Sequence, residues 1–385
     1  MRHLYLAATG QNRGKTTASL GLLNVFLEEG LRTGFMKPVG QRTVIEDGQP
    51  ADEDAVLMKA VFGLPEPFSV MSPVHIPRGF TKAYIRGEVV EDLPARIRSA
   101  HAAFAGRDIL LVEGTGHAGV GAVIGLSNAV VAGMLGIPAV IVSEGGVGRP
   151  IDEIVLNTAL FERHGVTVAG AIVNKVDLDS QPGLPQVLER GLARHGIPLL
   201  GVLPYRPILS NPTLGMVLEG VRGELLNAGP DLDRVIDDVA VGAMQPGHML
   251  ERVGPGTLVI VPGDREDAIL TITTTHIMGT ARRGSPAEAS GMAAGRPEPD
   301  GVAEAAVGLV LTGGYRPRPA VISAIRQADL FAALVPEDTY VVASEVHDLL
   351  VKTHAADRDK IALIKAMVRE HLDVDRFLEA AGSPG

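Results

Sequence analysis

The chain has 385 residues and contains neither cysteine nor tryptophan. The lack of cysteine excludes disulfides, thiolate metal sites, iron–sulfur clusters and cysteine nucleophiles. Long apolar runs are missing too, because none reaches the ~18 consecutive residues typical of a membrane-spanning helix. The first residues, MRHLYLAATG, have no signal-peptide layout. We therefore expect a cytoplasmic protein without a membrane partner.

Basic residues are the minority charge. The sequence has 35 Lys and Arg against 45 Asp and Glu, a formal net charge of −10. A nucleic-acid-binding protein needs a basic face to neutralise phosphates, so we expect no nucleic-acid partner. A small phosphate ligand is still compatible with this charge, because a few local cations and backbone amides suffice to bind one.

Short apolar segments alternate with helix-length segments over the first 200 residues. This pattern predicts an α/β protein with a parallel sheet, helices on both faces and right-handed crossovers. The predicted strands are residues 4–8, 33–37, 108–113, 139–143, 169–174 and 199–203. The predicted helices are residues 16–29, 52–62, 93–104, 127–135, 150–164 and 183–195.

A phosphate-binding loop is the strongest local signal. The segment ATGQNRGKTT at residues 8–17 follows a predicted strand and opens a predicted helix. Glycines at 10 and 14 allow backbone amides to surround phosphate oxygens, and the helix N-terminus adds partial positive charge. Thr9 stands where the common motif has its first glycine. The predicted nucleotide-binding residues of this loop are Gly10, Gln11, Asn12, Arg13, Gly14, Lys15, Thr16 and Thr17.

Two further segments place polar side chains at the ends of predicted strands. Glu113 ends the apolar segment 108–113, and the carboxyl ends of parallel strands face a common crevice. Glu113 is therefore a candidate ligand for Mg²⁺ or a metal-bound water. Asn174, Lys175 and Asp177 form an N-K-x-D pattern after another strand, which predicts contacts with a purine base.

These three segments, in this order, resemble the dethiobiotin synthetase and cobyrinate diamide synthase group of P-loop proteins over residues 1–225. The resemblance implies binding of ATP and Mg²⁺. Lys37 follows the second predicted strand, where dethiobiotin synthetases carry a substrate-binding lysine. A second metal-binding acid is expected at Asp52 or Asp54, and Asp54, followed by Ala-Val-Leu, matches better. The implied catalytic residues are Lys15, Lys37 and Glu113, and the implied metal ligands are Thr16, Asp54 and Glu113.

The chain as a whole resembles the N-terminal region of long bacterial phosphate acetyltransferases, where a dethiobiotin-synthetase-like domain precedes a DRTGG domain. Gly263-Asp264-Arg265 and Leu311-Thr312-Gly313-Gly314, each after a predicted strand, carry this part of the resemblance over residues 250–355. The acetyltransferase catalytic domain is not among the 385 residues. The resemblance thus implies nucleotide binding and regulation without acetyl transfer.

The resulting domain prediction has four parts. Residues 1–226 form the P-loop domain, 227–250 a linker, 251–358 a smaller α/β DRTGG domain, and 359–385 a C-terminal helix and tail. The segment 279–301, rich in glycine, alanine and proline, is expected to be a flexible insertion. Further predictions are a helix at 216–226 and strands at 257–261, 268–273, 308–311 and 340–343.

Several residues keep two interpretations at this level. Arg13 and Arg42 indicate an anionic partner, such as a small carboxylate, or an arginine that helps with a transferred phosphate; the other interpretation is that both are solvated surface charges. His75 lies in a proline-rich loop that could cover the crevice. Asp264 and Arg265 fit a ligand-sensing or dimer contact as well as a turn with an internal ion pair. Gly313 and Gly314 predict a tight turn whose amides could bind an anion.

Two functions fit these features. The first is a Mg-ATP-binding regulatory ATPase, in which the P-loop domain senses nucleotide and the DRTGG-like domain transmits the state to a partner or across a homodimer or higher oligomer. The alternative is an ATP-dependent ligase that activates a carboxylate or carbamate by phosphorylation. The N-K-x-D pattern also occurs in GTPases, but the overall resemblance favours ATP.

Overall fold

The computed structural model describes residues 1–229, 231–283, 306–349 and 351–382, and the side chains of 280–283 are outside this description. Two compact units divide the chain: Met1–Arg206 with Thr353–Gly385, and Pro207–Lys352. The chain thus leaves the first unit after Arg206 and returns to it at Thr353. In the described ranges, no helix has the length and apolar character needed to cross a bilayer.

The first unit alternates strands and helices along the chain. Its strands are β1 (Arg2–Ala8), β2 (Thr33–Met36), β3 (Val39–Gly40), β4 (Thr43–Glu46), β5 (Gln49–Asp52), β6 (Val74–His75), β7 (Ile109–Glu113), β8 (Ala139–Glu144), β9 (Val168–Val176) and β10 (Leu199–Pro204). Its first helices are α1 (Lys15–Glu28), α2 (Glu53–Phe62), α3 (Phe68–Met71), α4 (Phe80–Ile85), α5 (Leu93–Ala102), α6 (Asn128–Leu135), α7 (Gly148–Arg163) and α8 (Leu184–Ala193), with a 3₁₀ turn at Ala122–Ile124.

Six parallel strands form the main sheet of this unit, in the order β10-β9-β8-β1-β7-β2. The strand β1 lies at the centre and pairs with β7 and β8. Because parallel strands end at the same edge, the residues after β1, β7 and β9 reach one side of the sheet. The predicted α/β class with a parallel P-loop sheet is confirmed.

The second unit is also α/β. Its helices in the first part are α9 (Pro207–Ser210), α10 (Leu214–Gly220), α11 (Pro246–Leu250) and α12 (Glu266–Arg283), followed by α13 (Pro319–Gln327) and α14 (Thr339–His347). Its strands are β11 (Glu224–Asn227), β12 (Asp238–Val241), β13 (Thr257–Pro262), β14 (Gly308–Thr312) and β15 (Phe331–Leu334). They form a sheet in the order β11-β15-β14-β13-β12, in which only β11 is antiparallel to its neighbour among the described strands.

Two predicted strands of this unit were wrong. Residues 268–273 lie in α12, and residues 340–343 lie in α14. In α12 the buried residues Ala268, Ile269 and Ile272 follow helical spacing and pack into one core cluster of the unit. The β-branched residues of this segment favour a strand locally, so packing overrides their intrinsic preference.

Strands β11, β12 and β15 were not predicted. The strands β11 and β12 are at the two edges of the sheet, where β11 exposes two and β12 three of its four residues, so they lack the continuous apolar signal of buried strands. The helix predicted at 216–226 ends at Gly220, because residues 224–227 pair with β15 instead.

The compact units divide the chain differently from the predicted domains. Residues 207–226, expected in the P-loop domain, belong to the second unit, where Val217 and Val221 pack with Val342 and Val346. The predicted linker 227–250 contains β12 and α11. The predicted insertion 279–301 lies outside the described residues from position 284, and its first five residues end α12.

The region near the C-terminus contains two helices where a single one was predicted: α15 (Arg358–His371) and α16 (Val374–Ala380). Both belong to the first unit. The helix breaks because Leu372 is extended and forms an antiparallel bridge with Gly201 of β10. Asp373 then caps α16 by accepting a hydrogen bond from the Arg376 backbone N–H.

Candidate nucleotide-binding site

The loop between β1 and α1 has the backbone shape of a phosphate cradle. Asn12 has φ 58° and Gly14 has φ 92°, both in the left-handed region. The helix α1 begins at Lys15, directly after this turn. The unpaired amides of a helix N-terminus attract anions, so the start of α1 is placed to face a phosphate.

The end of β9 fixes this loop from the side. The Asn174 side-chain amide donates to the Arg13 carbonyl at 3.1 Å. The Lys175 ammonium donates to the Asn12 carbonyl at 3.0 Å and pairs with Glu144 at 3.0 Å. A Cβ on Gly14 would lie 1.9 Å from Asn174 Nδ2, so this position has room only for glycine.

We expect Gly14→Ala to weaken nucleotide binding at least tenfold. The added methyl collides with Asn174 and sits on a backbone with φ 92°, a strain of ~1–3 kcal/mol. Gly136→Ala is the matched control, because Gly136 also has a positive φ of 65° but nothing within 4 Å of its Cβ position. Calorimetry and urea unfolding should show a loss of stability for both variants and a loss of binding only for Gly14→Ala. Equal binding by the two variants would contradict the role of this contact.

Two carboxylates meet the first turn of α1. The Thr16 hydroxyl lies 3.0 Å from Asp54 Oδ1 and 3.4 Å from Glu113 Oε1. Ser19, one turn further along α1, donates to Glu113 Oε2 at 2.6 Å. Glu113 is fully buried at the end of β7, while Asp54 lies in the first turn of α2. Three separate elements therefore converge on one cluster of hard oxygen atoms.

Lys37 lies between the two acids. Its ammonium donates to Asp54 Oδ2 at 2.6 Å and to Glu113 Oε1 at 2.8 Å, and its side chain is only 5% exposed. Burial works to lower the pKa of Lys37, but the charges of Asp54 and Glu113 raise it overall, so Lys37 stays protonated. Because this ammonium bonds both carboxylates, it offsets the repulsion between their negative charges.

Burial and Lys37 act in opposite directions on the pKa of each acid, and the balance between them differs between Asp54 and Glu113. Burial alone would raise the pKa of Asp54, but the charge and hydrogen bonds of Lys37, with the bond from Thr16, lower it to about 2. Burial raises the pKa of Glu113, and the Lys37 charge opposes this only in part. Asp54 therefore carries a firm negative charge, whereas Glu113 depends on a neighbouring cation to stay ionised.

Lys15 is the second buried ammonium of the cluster. Its Nζ lies 3.4 Å from the Gly10 carbonyl. Burial lowers the pKa of Lys15 to about 8, and the positive charge of Lys37 acts in the same direction. An anion beside Lys15 would offset both effects, because it favours the charged form.

Thr16, Asp54 and Glu113 have the donor chemistry that Mg²⁺ requires, since all three offer hard oxygen atoms. No group of three or more histidine, aspartate or glutamate residues in the described ranges could hold a metal by itself. A magnesium ion here would thus need further oxygen ligands, such as nucleotide phosphates and water. The residues fit a metal that arrives with a nucleotide.

Asp52 has a structural role at the start of α2. Its carboxylate accepts from the Asp54 backbone N–H at 3.1 Å and caps the N-terminus of α2. Of the two acids that the sequence left open, Asp54 is the one that contacts Thr16 and Lys37.

Other predicted residues are held by partners within the protein. Arg13 pairs with Glu144 and lies 3.8 Å from Glu153, so its charge is balanced internally. Asp177 accepts from the Ser180 backbone N–H at 3.1 Å and from its hydroxyl at 2.5 Å. That turn gives Asp177 a local structural role. Base recognition by Asp177 stays a prediction.

Two predicted substrate residues lie on segments that follow Lys37. His75 of β6 is the register partner of Gly40 in β3, which brings the proline-rich loop beside the segment after Lys37. The Arg42 carbonyl accepts from the Glu53 backbone N–H at 3.0 Å, immediately before Asp54 in α2. A contact of these side chains with a substrate stays a prediction.

The two segments that carry the DRTGG resemblance, residues 263–265 and 311–314, lie in the second unit at the ends of β13 and β14. Arg265 pairs with Asp267 at 2.9 Å rather than with Asp264. The amides of Gly313 and Gly314 donate to the carbonyls of Glu337 and Val335 at 2.7 and 2.9 Å. Because both amides are occupied, the predicted anion site at these glycines was wrong, and they tie two loops together.

Sequence reasoning missed Ser19, Tyr5 and Asn128. Ser19 follows Lys15 by four residues on the same helix, so the helical period alone could have indicated it. The Tyr5 hydroxyl donates to Asn128 Oδ1 at 2.9 Å across 123 residues. Asn128 also donates to the carbonyls of Thr115 and His117, which holds the loop after Glu113. No local pattern reveals this second arrangement.

A central parallel strand, a glycine-containing loop and a helix that begins Lys-Thr define the class of P-loop nucleotide-binding folds. The chain belongs to the AAA domain family AAA_26, whose family profile matches residues 2–213. A second profile, that of the DRTGG domain, matches residues 216–349. Both parts of the resemblance inferred from the sequence are therefore confirmed.

The curated relatives are consistent with two successive domains in the chain. The phosphate acetyltransferase of Pseudomonas putida is 27% identical over 403 aligned residues, covering 100% of this chain and 52% of the relative. The chain thus spans about half the length of that relative. The ATP-dependent dethiobiotin synthetase of Anaeromyxobacter dehalogenans is 29% identical over 223 residues, covering 57% of this chain and 97% of the relative.

Solved structures show only a distant likeness. McdA of Cyanothece in complex with ATP is 13% identical, covers 54% of this chain and 85% of its own, and has a TM-score of 0.35. The CBS and DRTGG domains of the Clostridium perfringens pyrophosphatase regulatory region are 16% identical, cover 42% and 64%, and have a TM-score of 0.27. TM-scores this low carry no functional conclusion.

Proposed function

We propose that the first unit binds ATP with Mg²⁺ and that the second, DRTGG-containing unit responds to the nucleotide state, so that the protein acts as a regulatory ATPase. The convergence of Lys15, Thr16, Asp54 and Glu113 at the start of α1 is the observation that carries this proposal. A buried ammonium can neutralise phosphate charge, and a hydroxyl with two carboxylates offers hard oxygen atoms to a metal bound to the phosphates.

Each residue has a defined task in this proposal. Lys15 neutralises phosphate charge, and the loop amides before it orient the phosphate oxygens. Thr16, Asp54 and Glu113 would hold Mg²⁺, which supplies charge neutralisation between the β- and γ-phosphates when bound. Lys37 keeps both carboxylates in place through its two hydrogen bonds. Asn174 and Lys175 hold the loop in its left-handed shape.

ATP is the proposed nucleotide because the family resemblance favours it, and because Asp177 already bonds Ser180 in this structure. Recognition of guanine by this motif needs the Asp177 carboxylate free to accept hydrogen bonds from two N–H groups of the base. The proposal further includes a cytoplasmic homodimer or higher oligomer, which sedimentation at several protein concentrations would test.

A ligase of the dethiobiotin synthetase type is the second candidate. It is favoured by the position of Lys37 beside both acids, where it could orient a carboxylate acceptor against the transferred phosphate. The two existing ion pairs of Lys37 favour the regulatory function instead, since they leave this ammonium less available to an acceptor.

Isothermal titration with ATP and GTP, each with Mg²⁺ and with EDTA, tests the proposal directly. We expect ATP to bind more tightly with Mg²⁺ than with EDTA, and GTP to bind more weakly than ATP. If neither ATP nor GTP binds, the proposal is overturned. ADP release that depends on an added carboxylate, measured over a panel of small carboxylic acids, would establish the ligase instead.

The pKa of Lys15 predicts how nucleotide binding depends on pH. In the free protein this pKa is lowered to about 8, and bound phosphates would raise it. Above pH 8, binding therefore requires proton uptake, and affinity should fall about thirtyfold between pH 7 and 9.5. Calorimetry in two buffers of different ionisation enthalpy measures the uptake. Lys15→Arg keeps its charge over this range, so its affinity should not vary with pH in this way. A wild-type affinity that is constant to pH 9.5 would contradict the prediction.

A further inference from the structure

The C-terminal strap, residues 353–382, lies outside both matched family profiles, which end at residues 213 and 349. It nevertheless belongs to the compact unit that contains the P-loop. Its helix α15 buries Ile361, Ile364, Met367 and Val368, and α16 buries Phe377. The strap is therefore an integral part of the core of the first unit.

The P-loop helix α1 is the main contact of α15. Gly21 of α1 lies six residues after Lys15, and a Cβ built on Gly21 would be 2.2 Å from Val368 Cγ2. The Val368 side chain thus fills the space that any larger residue at position 21 would need. Helix α1 is apolar on nearly all sides, which is typical of a helix covered by neighbours all round.

Further contacts hold the strap along the second half of α15 and just beyond it. The Lys365 ammonium lies 5.1 Å from the centre of the Phe62 ring in α2, the helix that carries Asp54. Arg369 pairs with Glu28 in the last turn of α1. The Asp373 backbone N–H donates to the Leu200 carbonyl at 3.0 Å, beside the bridge that joins Leu372 to Gly201.

From these contacts we infer that the C-terminal strap transmits the nucleotide state of the P-loop to the DRTGG-containing unit, through the packing of Val368 against Gly21. This inference rests on the proposed function, because it names the route for a signal that a regulatory ATPase must send. The chain enters the strap directly after the second unit ends at Lys352, and α15 begins six residues later.

The physical reason is the rigidity of close packing. A displacement of α1 when phosphate binds at Lys15 would move α15 with it, because the Gly21–Val368 contact leaves no space for sliding. The connection from Arg206 to Pro207, by contrast, follows the edge strand β10 rather than the P-loop helix. Coupling between sites requires an element that both sites bias. Helix α15 packs on α1 and is joined to the second unit through residues 353–357.

Hydrogen exchange with and without Mg-ATP tests this inference on the full chain. The readout is the nucleotide-dependent change in protection of residues 257–275 and 308–316 in the second unit. The variants are Val368→Ala, Gly21→Ala and the double variant, in which the new methyl at position 21 fills the space that Val368 vacates. Leu188→Ala, at a fully buried site of α8 outside the strap, controls for a general loss of stability. Calorimetry on each variant measures ATP affinity separately.

We expect each single variant to lose at least half of the exchange response while ATP affinity changes less than about threefold. The double variant should regain the response, and Leu188→Ala should keep it. Normal ATP binding together with an undiminished response in both single variants would overturn the strap as the route while leaving the nucleotide site intact. Failure of the wild-type protein to bind ATP would overturn the proposed function and, with it, the strap.

Discussion

Lys15→Ala is expected to weaken ATP binding by about ten- to hundredfold or more while the fold is retained. The Lys15 ammonium is buried at the first position of α1, where water screens its charge poorly. A charge-assisted contact in such a place contributes ~1.5–3 kcal/mol to binding. Because burial already lowers the pKa of Lys15, its removal should not destabilise the free protein. Calorimetry with Mg-ATP and circular dichroism measure the two quantities.

The control for this variant is Lys82→Ala, which removes one positive charge from an exposed position in α4. Its ATP affinity should equal that of the wild type. A Lys15→Ala protein that binds Mg-ATP within twofold of the wild type would refute the assignment of residues 8–17 as a phosphate-binding loop.

Glu113→Gln is expected to abolish most of the Mg²⁺-dependent gain in ATP affinity, and to reduce hydrolysis by tenfold or more. The variant keeps the shape of the buried side chain and its oxygen acceptor, but it removes the charge that a hard cation requires. Lys37 and Ser19 both bond Glu113, so the side chain should stay in position. Titration with ATP in Mg²⁺ and in EDTA, together with phosphate release, measures the effect.

Asp52→Asn provides a close control for the metal site. Asp52 lies two residues from Asp54 but caps α2, and asparagine is an equally good capping residue. This variant should keep the Mg²⁺ effect, whereas Asp54→Asn should lose it together with one of the ion pairs of Lys37. Wild-type hydrolysis by Glu113→Gln would show that Glu113 is not a metal ligand, and a loss in Asp52→Asn would move the second ligand to that residue.

Local patterns were sufficient for much of the first unit. The six strands of its main sheet were predicted to within two residues or so at most ends, because each is a continuous apolar segment covered on both faces. The loop 8–17 and the acid at the end of β7 were also visible, since a strand, a turn and a helix start each have a short-range signature.

The second unit was harder to predict because its signals conflict. Residues 268–273 contain β-branched side chains, yet they form part of an 18-residue helix. The strand β12 exposes three of its four residues, so it has no apolar run that would identify it. In both places the packing of neighbouring elements, rather than local preference, determines the conformation.

The sequence by itself determined the α/β class, the P-loop and its strand–loop–helix context, because these depend on contacts between near neighbours in the chain. Only the tertiary structure showed that Asp54 rather than Asp52 contacts Thr16 and Lys37. It also showed that Arg13 pairs with Glu144 and that Asn174 holds the loop. It also returned residues 353–382 to the P-loop unit. These outcomes depend on residues that are far apart in sequence, such as Asn174 and Arg13 at a separation of 161 residues, and no local pattern encodes such a contact.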